Sequence, residues 1–136
     1  MRKTFGALSI VMALAAGGLA LPAPRPADVT LKTPAEESGA ARYSQNEEIG
    51  RFLSALDYAS PRVIVGAVGK TLAAEGWPAQ DIFLIVINEE GAGSVERLNR
   101  ARPTVLIIAS QHGNEQSGKE AALRLARDLA LGELRP

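Results

Sequence analysis

The stretch Thr104-Val105-Leu106-Ile107-Ile108-Ala109-Ser110-Gln111-His112-Gly113-Asn114-Glu115 decides how this chain is read, because an apolar run passes directly into a polar turn. Rich in Ile and preceded by Pro103, residues 104–109 have the composition of a strand. Downstream, Ser117-Gly118-Lys119-Glu120 has the spacing of a capping box, and Ala122, Leu125, Ala126 and Leu129 form an apolar stripe at helical spacing. Gly132 is placed to end that helix. The turn 112–115 is thus expected between a strand end and a helix N-terminus, where α/β proteins carry their chemistry.

Two similar runs lie upstream, at 62–68 and 82–87, each rich in Val or Ile and bounded by Pro, Gly or Asn. Continuous apolarity without alternation predicts strands buried on both faces. Before them, Ser44-Gln45-Asn46-Glu47 reads as a capping box, followed by Ile49, Phe52, Leu53 and Leu56 at i, i+3, i+4 and i+7. That pattern predicts an amphipathic helix over 45–57, with Tyr43 positioned to staple its start. The expected fold class is α/β, a partial layered sheet of about three strands flanked by helices. Two substantial helices are too few to cover both faces of three strands, so residues 43–136 read as part of a truncated domain.

The N-terminus reads as an export signal. Arg2 and Lys3 precede an apolar run, and the small residues Gly18 and Ala20 fit a signal-peptidase site, giving a signal peptide over 1–20. The run falls short of the ~20 residues a spanning helix needs and stops at Pro22, so no stable membrane anchor is expected after cleavage and the product is periplasmic or secreted. Residues 21–42 carry Pro22, Pro24, Pro26 and Pro34 with little to bury, and are expected as a disordered linker. Removing Arg2 and Lys3 leaves 13 basic against 15 acidic residues, a net charge of −2, which gives no electrostatic basis for binding nucleic acid or an anionic membrane. Partners of small-molecule or peptide type fit better. Cysteine is absent, so any metal must be held by histidine and carboxylates.

His112 is the sole histidine, and Glu115 stands three residues on with Gly113 between them. An imidazole and a carboxylate at that spacing on a tight turn can address one ion, and the nitrogen and oxygen pair suits zinc. The same residues also suit a surface turn with Glu115 near a helix N-terminus, favoured by the helix dipole. On these residues alone both readings stand. Gly69-Lys70-Thr71 invites comparison with a phosphate-binding loop, but the glycine required five positions earlier is Ile64, and Gly76 and Pro78 oppose a long helix after it. Nucleotide binding is therefore not expected.

From Tyr43 to about Leu131 the chain resembles the N-terminal third of a zinc carboxypeptidase of the M14 (carboxypeptidase A-like) family. Tyr43, Glu48, Ile49, Leu53 and Leu56 resemble the opening helix of that family. Gly69-Lys70-Thr71 and Glu75-Gly76-Trp77-Pro78 resemble its Gly-Lys-Ser/Thr turn and Glu-Gly-x-Pro segment, and the apolar run 82–87 resembles the strand that comes next. Arg102-Pro103-Thr104-Val105 leading to His112 and Glu115 resembles its strand and His-x-x-Glu motif.

The resemblance implies that His112 and Glu115 are two of three protein ligands to one zinc ion, the third being a histidine farther downstream. It also implies a downstream glutamate as general base, downstream arginines and a tyrosine that hold a peptide's terminal carboxylate, and hydrolysis of C-terminal or related amide bonds. No catalytic residue of that kind falls within these residues, so the chain alone is expected to be inactive. Asn114 stands where digestive members commonly have Arg, and His-Gly-Asn-Glu also resembles zinc deacylases of the succinylglutamate desuccinylase and aspartoacylase type. A non-catalytic peptide-binding module is the alternative outside enzymes, and a product with no function is a third.

Overall fold

A computed structural model describes residues 31–89 and 102–134. Within them lie helix α1 (Pro34–Glu37), helix α2 (Asn46–Ala59), strand β1 (Val63–Lys70), strand β2 (Asp81–Ile87) and helix α3 (Gln116–Leu131). The fold is mixed α/β, built on a two-stranded antiparallel sheet.

Helix α2 matches its sequence pattern residue for residue. Ile49, Phe52, Leu53 and Leu56 are its buried positions, and Leu53 and Leu56 retain no exposed surface. Full burial of such a side chain stabilises by roughly 1.5–3 kcal/mol. The cap sits one residue later than expected: Gln45 is the N-cap, and its backbone N–H donates to Glu48 Oε2 at 3.0 Å. Ser44 and Glu47 therefore do not form the box. Tyr43 stays more than half exposed, so it contributes little as a staple.

The hairpin pairs Val63 with Ile87, Val65 with Ile85 and Ala67 with Phe83, with an irregularity between Ala67 and Gly69. Val63, Val65, Phe83, Ile85 and Ile87 join the same apolar cluster as α2 and Leu123, Ala126 and Ala130 of α3. Both long helices thus pack on one face of the sheet. The alternate residues Ile64, Leu84 and Val86 are only partly buried, and Ile82 and Val68 are exposed. Burial of the strands on both faces is therefore not what forms, because the two helices lie together on a single side.

A third strand at 104–109 is also corrected. The backbone there belongs to no ladder, and Val105, Leu106, Ile107 and Ile108 are all exposed. A strand is defined by its hydrogen-bonded neighbour, and no described strand lies alongside this segment.

The expected stripe of α3 is displaced by one residue. Leu123, Ala126, Arg127 and Ala130 turn inward, while Ala122, Leu125 and Leu129 are half-buried. Gly132 ends the helix as expected, in the left-handed conformation at φ 81°. Ser117 and Glu120 make no capping box, since Glu115 is the N-cap and Glu120 is engaged elsewhere.

The linker expected over 21–42 is ordered in its described part. Thr33 caps α1, its hydroxyl accepting from Glu36 N–H at 3.3 Å while its own N–H donates to Glu36 Oε2 at 2.9 Å. Thr33 and Pro34 are buried. Arg127, on the inward face of α3, reaches this turn: Nη1 donates to Leu31 O at 3.2 Å and to Glu36, and Nε donates to Asp128 Oδ1 at 2.8 Å. An ionic clasp across 91 residues thus fixes the arm that composition alone left loose. The signal peptide expected over 1–20 lies outside the described residues. Among the described residues no helix is long and apolar enough to cross a membrane.

Candidate metal centre

The turn that carries the candidate ligands is built by two local devices. Ser110, directly after the apolar run 104–109, adopts φ 56°, a left-handed conformation that is uncommon for a residue with a side chain. Its enclosed hydroxyl has no hydrogen-bond partner among the described residues. Two residues later the backbone closes again, with Glu115 N–H donating to His112 O at 3.1 Å. Gly113, between the two candidate ligands, has no positive φ; the left-handed residue of this stretch is Ser110.

This closure brings the two candidate side chains together. His112 Nδ1 and Glu115 Oε1 stand 3.0 Å apart, with side-chain exposures of 65% and 61%. In a tetrahedral zinc site with ligand bonds of about 2.05 Å, two donors are separated by about 3.3 Å. The pair therefore needs to open by only a few tenths of an ångström to span two corners of such a site. It is solvent-facing, which leaves an open path for an ion. Two donors are present rather than four: among the described residues no group of three or more His, Cys, Asp and Glu side chains gathers to hold a metal.

Behind the turn, α3 is anchored to the start of α2. Glu120 accepts from Ser44 N–H and from Ser44 Oγ–H, both at 2.7 Å, and Lys119 Nζ donates to Ser44 O at 2.7 Å. Ser44 is almost fully buried. These bonds satisfy a polar backbone stretch that would otherwise be costly to enclose, and they hold the first turn of α3 at a set distance from α2. Glu115, as N-cap of the same helix, inherits that placement. The sequence pattern misses this network because Glu120 stands at the correct spacing for a local cap. Only the burial of Ser44, 76 positions away, reveals its partner.

The other motif singled out from sequence has a structural role. Lys70 and Asp81 face each other across the hairpin and form an ion pair at 2.5 Å, while Thr71 N–H donates to Gln80 O and Thr71 Oγ1 accepts from Gln80 N–H. Gly69-Lys70-Thr71 thus closes the β1–β2 connection. Trp77 is exposed at its tip.

Comparison with known proteins adds no relative: no family model matches the chain, and no curated protein or solved structure matches it.

Proposed function

We propose that this chain is the N-terminal part of an exported zinc metallocarboxypeptidase of the carboxypeptidase A-like kind, with His112 and Glu115 as two of its metal ligands. The observation that carries the reading is the 3.0 Å approach of His112 Nδ1 to Glu115 Oε1 on an exposed turn at the start of α3. A bound zinc ion supplies Lewis acidity to a scissile carbonyl and lowers the pKa of a coordinated water. The residues of this chain hold and orient: Glu115 is fixed by its place at the helix cap, His112 by the backbone bond that closes the turn, and both by the Ser44–Glu120–Lys119 anchor behind them.

The 136 residues contain no second histidine, so the third protein ligand, a second imidazole, must come from elsewhere. With two protein donors the chain alone is inactive, since a catalytic zinc site uses three protein ligands and an open position. The test is an assay of the protein expressed from its whole reading frame. It should release C-terminal residues from peptides and lose that activity when chelator removes the metal. Preference for N-acyl amino acids over peptides would move the assignment to the zinc deacylases, and hydrolysis that survives full metal removal would overturn it.

A further inference from the structure

Glu115 begins α3 as its N-cap without using its own side chain as the cap, and that carboxylate faces His112 instead. Packing does not hold the peptide units between the two donors. Gly113 has no side chain, and apart from its chain neighbours nothing among the described residues lies within 4 Å of the point where one would begin. Hydrogen bonds therefore fix this stretch. Besides the closure from Glu115 N–H to His112 O, Gln116 Nε2 donates to Gly113 O, the carbonyl that lies between the two ligands. Gln116 is the first residue of α3 and is half-buried. Its Oε1 accepts from Lys119 Nζ at 2.5 Å, and Lys119 Nζ also donates to Ser44 O at 2.7 Å. The Lys119 side chain is only 18% exposed, and Ser44 is buried. A continuous relay thus runs from Gly113 O through Gln116 and Lys119 to the chain just before α2.

We infer that Gln116 is a positioning residue of the metal pair: its amide ties the peptide between His112 and Glu115 to the buried Ser44 anchor and so sets the spacing of the two donors. The inference rests on the metal-pair reading above. A glutamine suits the place because its amide donates at one atom and accepts at the other, so the turn and the ammonium fix its orientation from both sides. A carboxylate at neutral pH accepts only, and would hold Lys119 while losing Gly113 O. Outer partners that orient metal ligands typically contribute 10–100-fold in metal affinity. Gln116 acts on the backbone between the ligands rather than on a ligand atom, which places its contribution at the lower end, about tenfold.

The test uses the protein expressed from its whole reading frame, as wild type, Gln116→Met and Gln116→Glu, with zinc affinity read at neutral pH by competition with a chromophoric chelator and urea midpoints taken on the metal-free proteins. Gln116→Met should bind zinc about tenfold more weakly at an unchanged midpoint. Gln116→Glu separates positioning from charge. An added carboxylate four residues from His112 would by charge alone tighten the binding of a cation, whereas loss of the bond to Gly113 O weakens it. The expected result is weaker binding by both variants. Wild-type affinity in Gln116→Met, or tighter binding by Gln116→Glu, would overturn the positioning role and leave the metal pair standing. Affinity lost only together with a lowered urea midpoint would mark a purely structural residue and refute the role as well. Absence of zinc uptake by the wild type would overturn the metal pair, and the positioning role with it.

Discussion

Replacing Glu120 by alanine tests whether the site turn is held by its anchor to α2. The carboxylate accepts two hydrogen bonds from Ser44, each 2.7 Å long, and Ser44 is only 2% exposed. Removing the acceptor strands a buried N–H and a buried hydroxyl, at about 1–3 kcal/mol for each group left unpaired. Water entering the space vacated by the side chain offsets part of this, so the expected loss is about 2–4 kcal/mol. Urea unfolding followed by circular dichroism reads it directly: with a slope of roughly 1–3 kcal/mol/M, the midpoint should fall by about 1–2 M. Glu120→Gln keeps one acceptor oxygen and should fall between the two. Arg51→Ala is the control, because its ion pair with Glu47 is exposed on both sides and should contribute less than about 1 kcal/mol. A Glu120→Ala midpoint within roughly 0.3 M of the wild type would refute the anchor.

Two further perturbations address the arm and the α2 cap. Burial works against the charge of Glu36, but the Thr33 N–H bond and the Arg127 guanidinium outweigh it and hold the carboxyl below its ordinary range. Arg127→Ala should therefore release the arm, costing about 1–3 kcal/mol and speeding proteolytic cleavage within 31–42, read as the lifetime of the intact chain under dilute protease. Glu48 is held at about 2, below its ordinary 4.5, by the Arg42 guanidinium and then by the Gln45 N–H. A depressed folded pKa contributes stability that is present above 4.5 and lost as pH falls through about 2. Glu48→Gln should flatten the stability profile across that window, measured as thermal midpoint against pH. A variant profile parallel to that of the wild type would contradict the assignment.

The parts of this fold that were legible in the sequence are those set by local pattern. The stripe of α2 was readable because Ile49, Phe52, Leu53 and Leu56 face a purely apolar neighbourhood, for which periodicity is a sufficient signal. In α3 two overlapping stripes compete. The one that wins includes Arg127, whose burial depends on Glu36, 91 residues away, and no periodicity can weigh a distant ion pair. The run 104–109 has strand composition, but composition does not supply a neighbour to pair with. At the candidate centre the spacing of His112 and Glu115 was readable, and so was their place before a helix. The strain at Ser110 was not, since nothing in the residue type announces a left-handed backbone.

The central claim is that His112 and Glu115 form a metal-binding pair, and calorimetric titration of zinc into the wild type, His112→Ala and Glu115→Ala tests it most directly. Both side chains are exposed on a turn outside the apolar core, so all three proteins should unfold at the same urea concentration. Saturable zinc binding by the wild type that is lost in both variants is the predicted result. Equal zinc binding by all three proteins would contradict the account.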